Sequence, residues 1–201
     1  MIKNIIFDLS EVLISGFHLE VVKLIEQNTN IAGEMFLERK SETLDVFLDA
    51  MRGRYSEDEY VEKLLEGTDW NFDKETLKKW IRQGLNIAVK GTMEIVKKLK
   101  KQYHLILLSD HMREWVEFIL ENNAELNIFE HQYFSYDYGL LKTDEGCFDY
   151  ILKDLKIKSE ETIFIDDSKE NVAMARKSGI DGIVFQSAED LERELKERKI
   201  L

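Results

Sequence analysis

The sequence predicts an α/β protein, a doubly wound parallel sheet with an α-helical block inserted after the first strand. Three observations carry this. Short apolar runs without helical period, Ile5-Ile6-Phe7, Leu105 to Leu108 and Ile163-Phe164-Ile165, stop at polar residues. Strands buried on both faces of a parallel sheet read as such continuous runs. From residue 91 onward strand and helix patterns alternate, as in βαβ units. Between about residues 17 and 88 the periodicity is helical throughout.

Taken in order, the first strand ends at Asp8. Val12-Leu13-Ile14 continues apolar, and Ser15-Gly16 breaks it. In the helical block Leu19, Val22 and Leu24-Ile25 keep helical spacing, as do Leu44, Phe47, Leu48 and Met51. Ser56 to Glu59 has the form of a capping box ahead of Tyr60, Val61, Leu64 and Leu65. Leu77, Trp80, Ile81 and Leu85 mark one more helix. The expected division is a core of residues 1–16 and 89–201 with a cap of residues 17–88. Beyond it, Gly91-Thr92 opens a helix, Tyr103 to Leu108 forms a strand ending at Ser109-Asp110, and Trp115, Phe118 and Ile119 follow at helical spacing. Gln132 to Ser135 is a weaker strand, and Phe148, Ile151, Leu152 and Leu155 mark a helix. Thr162 to Ile165 ends at Asp166-Asp167. The helix from about Lys169 to Ser178 stops at Gly179. Gly182 to Phe185 is the last strand, and Ser187 caps the last helix.

At 201 residues, 44% hydrophobic and 34% charged, the chain supports a globular core. A net charge of −12 argues against nucleic acid, which needs a basic face. It permits an anionic substrate where a metal and placed lysines reverse the sign locally. One cysteine, Cys147, excludes an internal disulfide and fits a reducing compartment. Asp8 interrupts the N-terminal apolar run too early for a signal peptide, and no segment approaches the roughly 18 apolar residues of a membrane span. The expectation is a cytoplasmic protein. There are no prolines, where average usage predicts about ten; no functional account of this follows.

Asp8, Ser109, Lys142 and Asp166-Asp167 fall at or just beyond strand ends, where open α/β sheets bind ligands. Singly they read as a turn aspartate, a turn serine, a solvated lysine and a helix cap. Together, three converging carboxylates call for a divalent cation, and oxygen ligands of this kind suit Mg²⁺ beside a phosphate. Lys142 then supplies a point charge and Ser109 a hydroxyl donor.

At these positions the chain resembles the haloacid dehalogenase-like (HAD) hydrolase superfamily over essentially its full length. Phe7 to Leu13 is similar to the first motif, Leu108-Ser109-Asp110 to the second, Gly139 to Lys142 to the third, and Phe164 to Asn171 to the fourth, the most specific. The resemblance implies a Rossmann-like core with a helical cap and is greatest to a branch of small-sugar phosphatases. It implies that Asp8 is a nucleophile forming an aspartyl-phosphate, and that Asp8, the Ser10 carbonyl and Asp167 hold Mg²⁺. Asp166 would hold the metal's water shell or the neighbouring loop. Ser109 and the Asp110 amide would grip phosphate oxygens, Lys142 would neutralise charge, and Asn171 would fix the fourth-motif loop.

Three positions depart from that pattern. Ser10 stands where many family phosphatases carry an aspartate that protonates the leaving group, a role worth about 10²–10⁴-fold. The expected consequences are a substrate with an activated leaving group, a donor from the cap such as His18, or a catalytically weak ligand-binding or regulatory protein. A 2-haloacid dehalogenase is a further alternative, disfavoured by the paired acids. Thr143 replaces the proline expected after Lys142, which predicts a less rigidly held lysine. Asp110 adds negative charge beside a phosphate site, so its side chain is expected to point away. The reading is thus a Mg²⁺-dependent phosphatase of a small phosphorylated metabolite. Arg39, Arg52, Arg54, Trp80 and Arg82 are the cap's basic and aromatic candidates for substrate contact, each read first as a surface or packing residue.

Overall fold

A computed structural model describes residues 1–201. The chain runs through β1 (Asn4–Phe7), then α1 (Phe17–Asn28), α2 (Gly33–Glu42), α3 (Leu44–Met51), α4 (Glu57–Leu65), α5 (Lys74–Gly84) and α6 (Thr92–Leu99). It continues with β2 (His104–Ser109), α7 (Arg113–Asn122), β3 (His131–Phe134), the single turn α8 (Ser135–Tyr138), α9 (Cys147–Leu155) and β4 (Thr162–Asp166). It closes with α10 (Lys169–Lys177), β5 (Asp181–Val184) and α11 (Ala188–Glu197). No helix is long and apolar enough to cross a membrane.

All pairings are parallel, in the order β3-β2-β1-β4-β5. The chain winds outward from β1 to β3, then returns to place β4 on the other side of β1. The crevice of a doubly wound sheet opens at this reversal, beyond the carboxyl ends of β1 and β4. Phe7 is level with Leu107 on one side and Ile165 on the other, so Asp8 stands beside the ends of both neighbours.

Alternation sorts the strand residues. Ile5, Phe7, Leu105, Leu107, Ile163 and Ile165 face one apolar cluster, and Ile6, Ile106, Leu108 and Phe164 face another. The second is closed by α9 and α10 through Phe148, Ile151, Val172 and Ala175. The first is continuous with the inserted helices, because Phe17, Val21, Tyr60 and Ile81 belong to the same cluster as the sheet residues. The helical block therefore shares a core with one sheet face.

Two linkers join the block to the sheet, and they pair with each other: Ser15 N–H donates to the Ile87 carbonyl (2.6 Å) and Val89 N–H to that of Leu13 (2.9 Å). Gly84 ends α5 against α1, where a Cβ would lie 2.6 Å from the Phe17 Cα. The expected capping box at Ser56 and Glu59 is present, Ser168 and Ser187 cap α10 and α11, and Gly179 follows α10 at φ +80°.

Glu57, 2% exposed in the first turn of α4, ties the block to the core. It accepts from Trp115 Nε1 of α7 (2.7 Å) and from both terminal nitrogens of Arg82 on α5. Removing one partner of a buried, hydrogen-bonded pair leaves the other uncompensated. Arg82 keeps some contact with water, so Glu57→Ala is expected to cost about 3 kcal/mol, the low end for such pairs, in urea unfolding. A loss below about 1 kcal/mol, the worth of a surface pair, would contradict the latch.

Candidate active site

The strand ends converge as their polar residues suggest. Lys142 Nζ lies 2.7 Å from Asp8 Oδ1 and 2.7 Å from Asp166 Oδ2. Lys142 is 3% exposed, which rules out a solvated loop lysine. Asp8 Oδ1 also accepts from the Leu9 N–H at 2.7 Å. Both contacts fall on one oxygen. Asp166 is fully occupied: Oδ1 accepts from Ser168 N–H (2.8 Å) and Asn171 Nδ2 (3.1 Å), and Oδ2 from Lys142 and Asn171. Asp167 is exposed, and one carboxylate oxygen each from Asp8, Asp166 and Asp167 lie within 4.8 Å of one another. Hard oxygen donors so grouped fit a divalent cation such as Mg²⁺.

The charge balance supports that fit. Burial pushes the Asp8 carboxyl well above the ordinary carboxylate range, against the pull of the Lys142 ammonium. Burial and the Asp166 charge raise Asp167. For Lys142, burial works to remove the proton, but the charges of Asp8 and Asp166 hold it more tightly than in a free lysine. One ammonium thus offsets part of three carboxylates, and a bound cation would offset the rest.

The loop carrying Lys142 corrects one expectation. Without proline it is still fixed, because Asp110 accepts the Lys142 N–H (3.0 and 3.3 Å) and Asp144 accepts the Leu141 N–H (2.9 Å). Asp110 points at this backbone, and burial raises its carboxyl to about 6. Asp144 is in turn clamped by the Arg52 guanidinium at 3.0 and 2.8 Å, a second tie between the helical block and the sheet. Ser109 ends β2 fully buried, its Oγ without a hydrogen-bond partner. A buried hydroxyl left unpaired costs about 1–3 kcal/mol and calls for an explanation; an incoming oxyanion would supply one.

A cavity of about 410 Å³ opens beside this cluster, lined by Ser10, Asp110, Lys142, Asp167 and Asn171. Its other wall is Phe17, His18, Phe47, Met51, His111 and Trp115. Arg39, Arg52, Arg54, Trp80 and Arg82 do not line it. Arg39 caps the carbonyls of Lys63, Leu64 and Glu66, Arg54 pairs with Asp49, Trp80 packs in the core, and Arg82 holds Glu57. His18 lines the cavity, and burial and the Lys40 charge lower its imidazole to about 4, so it is neutral at neutral pH and is not an imidazolium acid. Sequence reasoning missed His111, Trp115, Phe17, Phe47 and Met51. Only His111 carried a signal, following directly on Ser109-Asp110.

A model of the haloacid dehalogenase-like hydrolases matches residues 2–179. The chain belongs to that family. It is a hydrolase with the family's parallel α/β core. It is 26% identical to the D-ribitol-5-phosphate phosphatase of Bacteroides thetaiotaomicron, over 97% of each chain. A HAD family enzyme from the same organism, solved with magnesium and inorganic phosphate, superposes with a TM-score of 0.72 at 23% identity, covering 93% of this chain and 96% of that one. The L-2-haloacid dehalogenase of Xanthobacter autotrophicus, with chloropropionic acid covalently bound, gives 0.69 at 19% identity, covering 100% and 85%. At such identities the structural likenesses speak for the fold.

His111 offers a test of the site's electrostatics. Burial lowers its imidazole to about 4, against a hydrogen bond to the Asp110 carbonyl that raises it. A folded-state value below the unfolded one gives stability that is present above about pH 6.5 and lost as pH falls towards 4. The cost of His111→Gln in urea unfolding is therefore expected to be about 2 kcal/mol smaller at pH 5 than at pH 7. An equal cost at both would show that His111 titrates normally.

Proposed function

We propose that this HAD-family hydrolase is a Mg²⁺-dependent phosphatase of a small phosphorylated metabolite. The observation that carries it is Lys142 held 2.7 Å from both Asp8 and Asp166, beside the Asp8-Asp166-Asp167 cluster. The sugar-alcohol phosphatase relative and the magnesium–phosphate complex of a structural neighbour support the same reading and favour a sugar or polyol phosphate.

In this reading Asp8 Oδ1 stays bound to Leu9 N–H and Lys142, and Oδ2 attacks phosphorus. Lys142 and the unpartnered Ser109 hydroxyl take up charge on the phosphoryl oxygens, with the Asp110 amide. Asp8, Asp167 and the Ser10 carbonyl would hold Mg²⁺, which supplies further neutralisation when bound. Asp166, engaged by Lys142, Ser168 and Asn171, positions the ammonium and the loop. The helical block, residues 17–88, acts as a cap that walls the cavity with Phe17, Phe47 and Met51 and keeps water from the aspartyl-phosphate.

Phosphate release from para-nitrophenyl phosphate and a sugar-phosphate panel is expected to need Mg²⁺ and to fall more than about a thousandfold in Asp8→Asn. Undiminished turnover in that variant would refute the mechanism. Ligand-induced thermal stabilisation without turnover would favour a binding protein. Halide release from 2-haloacids that survives EDTA would favour the dehalogenase chemistry.

A further inference from the structure

Against the cavity-lining side chains of Phe17, His18 and Phe47 lies an ammonium with no carboxylate in salt-bridge range. Lys40 Nζ, from α2, lies 2.6 Å from His18 Nε2 and over the faces of Phe17 and Phe47 (5.8 and 5.1 Å to the ring centres). His18 and both rings line the cavity. Since Lys40 can only donate, Nε2 accepts, and the neutral imidazole carries its proton on Nδ1. That Nδ1 is buried and has no partner. An unpaired lysine on an orphaned imidazole is costly to keep in the fold, and such groups cluster at functional sites. Burial alone lowers the Lys40 ammonium, to about 8, close to the optimum for a proton donor working near neutral pH. The other titratable group acting on His18 is His111, itself neutral.

Ser10, Glu11 and Asp110, the lining residues around position 10 and on the second motif, are not free to protonate a leaving group. Ser10 has a hydroxyl, too weak an acid. The carboxylate of Asp110 is spent on the Lys142 N–H, and that of Glu11 on the Gly16 N–H at 2.9 Å.

We propose that Lys40 and His18 form a proton relay serving the leaving group of the phosphatase reaction, in place of an acid at position 10. The inference rests on the phosphatase reading. As Asp8 Oδ2 bonds to phosphorus, the bond to the leaving oxygen breaks and its electron pair takes the proton from His18 Nδ1. Nε2 takes a proton from Lys40, which becomes a neutral amine while the imidazole stays neutral in its other tautomer. In the second half-reaction water attacks phosphorus and frees the Asp8 carboxylate. A proton of the attacking water passes to Nδ1, and the Nε2 proton returns to Lys40. His18 is the group meeting the reacting oxygen; Lys40 acts through it.

The test is leaving-group dependence in the Mg²⁺-supplied enzyme, comparing para-nitrophenyl phosphate with alkyl phosphates. The aryl group leaves without a proton and the alkyl group needs one. Lys40→Met and His18→Gln are expected to lose about 10²-fold or more in kcat/KM on alkyl phosphates and far less in kcat/KM on the aryl phosphate, which reports the first half-reaction alone, while kcat falls on both classes because they share the aspartyl-phosphate. Lys40→Arg keeps the charge and donor but cannot release a proton, so the relay predicts no rescue and loss of a basic limb near pH 8 on alkyl phosphates. Rescue by arginine, equal losses in kcat/KM on both classes, or an unaltered enzyme confined to aryl phosphates would each overturn the relay and leave the phosphatase reading standing. No Asp8-dependent release from either class would remove that reading and the relay with it.

Discussion

A buried ammonium with two carboxylates at 2.7 Å is the contact on which the site depends. Asp8 and Asp166 sit at the ends of adjacent parallel strands, close enough to repel, and Lys142 stands between them. The arrangement requires β4 to return beside β1 after the chain has wound out to β3. It also requires the Lys142 loop to stay in place without a proline. Asp110 and Asp144 supply that support by accepting consecutive backbone N–H groups. Arg52 then anchors Asp144 from the helical block, so the insertion helps to hold the lysine.

The insertion has two characters. Away from the cavity it is joined to the sheet by a common apolar core and by Glu57. At the cavity it presents Phe17, Phe47, Met51 and a neutral imidazole. A low-dielectric wall strengthens the field of the few charges that remain and, in the proposed phosphatase, would leave anion binding to Lys142 and a cation. A net charge of −12 and an anionic substrate are thereby compatible.

The sheet was legible in the sequence because strands buried on both faces have no other apolar pattern, and because each stops at a polar residue. Observed strands are displaced by a residue from the expected ones at Asp181–Val184, His131–Phe134 and His104–Ser109, and Thr162–Asp166 takes in one polar residue more, because hydrogen bonding and not the apolar pattern sets where a strand stops. The cluster of Asp8, Lys142, Asp166 and Asn171 was legible through motif order. That Asp110 turns its charge to a backbone group was expected only in outline, because the partner, the Lys142 N–H, is 32 residues away and invisible to local pattern. Lys40 and His18 belong to different helices and meet only through packing, so no spacing announces them. The arginines of the helical block looked available for substrate. Each is engaged by a carboxylate or by helix-end carbonyls, which composition cannot show.

The central claim, that Asp8 beside Lys142 receives a phosphoryl group with a cation at hand, is tested most directly by fluorine NMR of the protein with fluoroberyllate, a stable mimic of an aspartyl-phosphate. The account predicts slowly exchanging bound resonances that require both Mg²⁺ and Asp8 and vanish in Asp8→Asn. No bound signal with Mg²⁺, or an unchanged one in the variant, would contradict it.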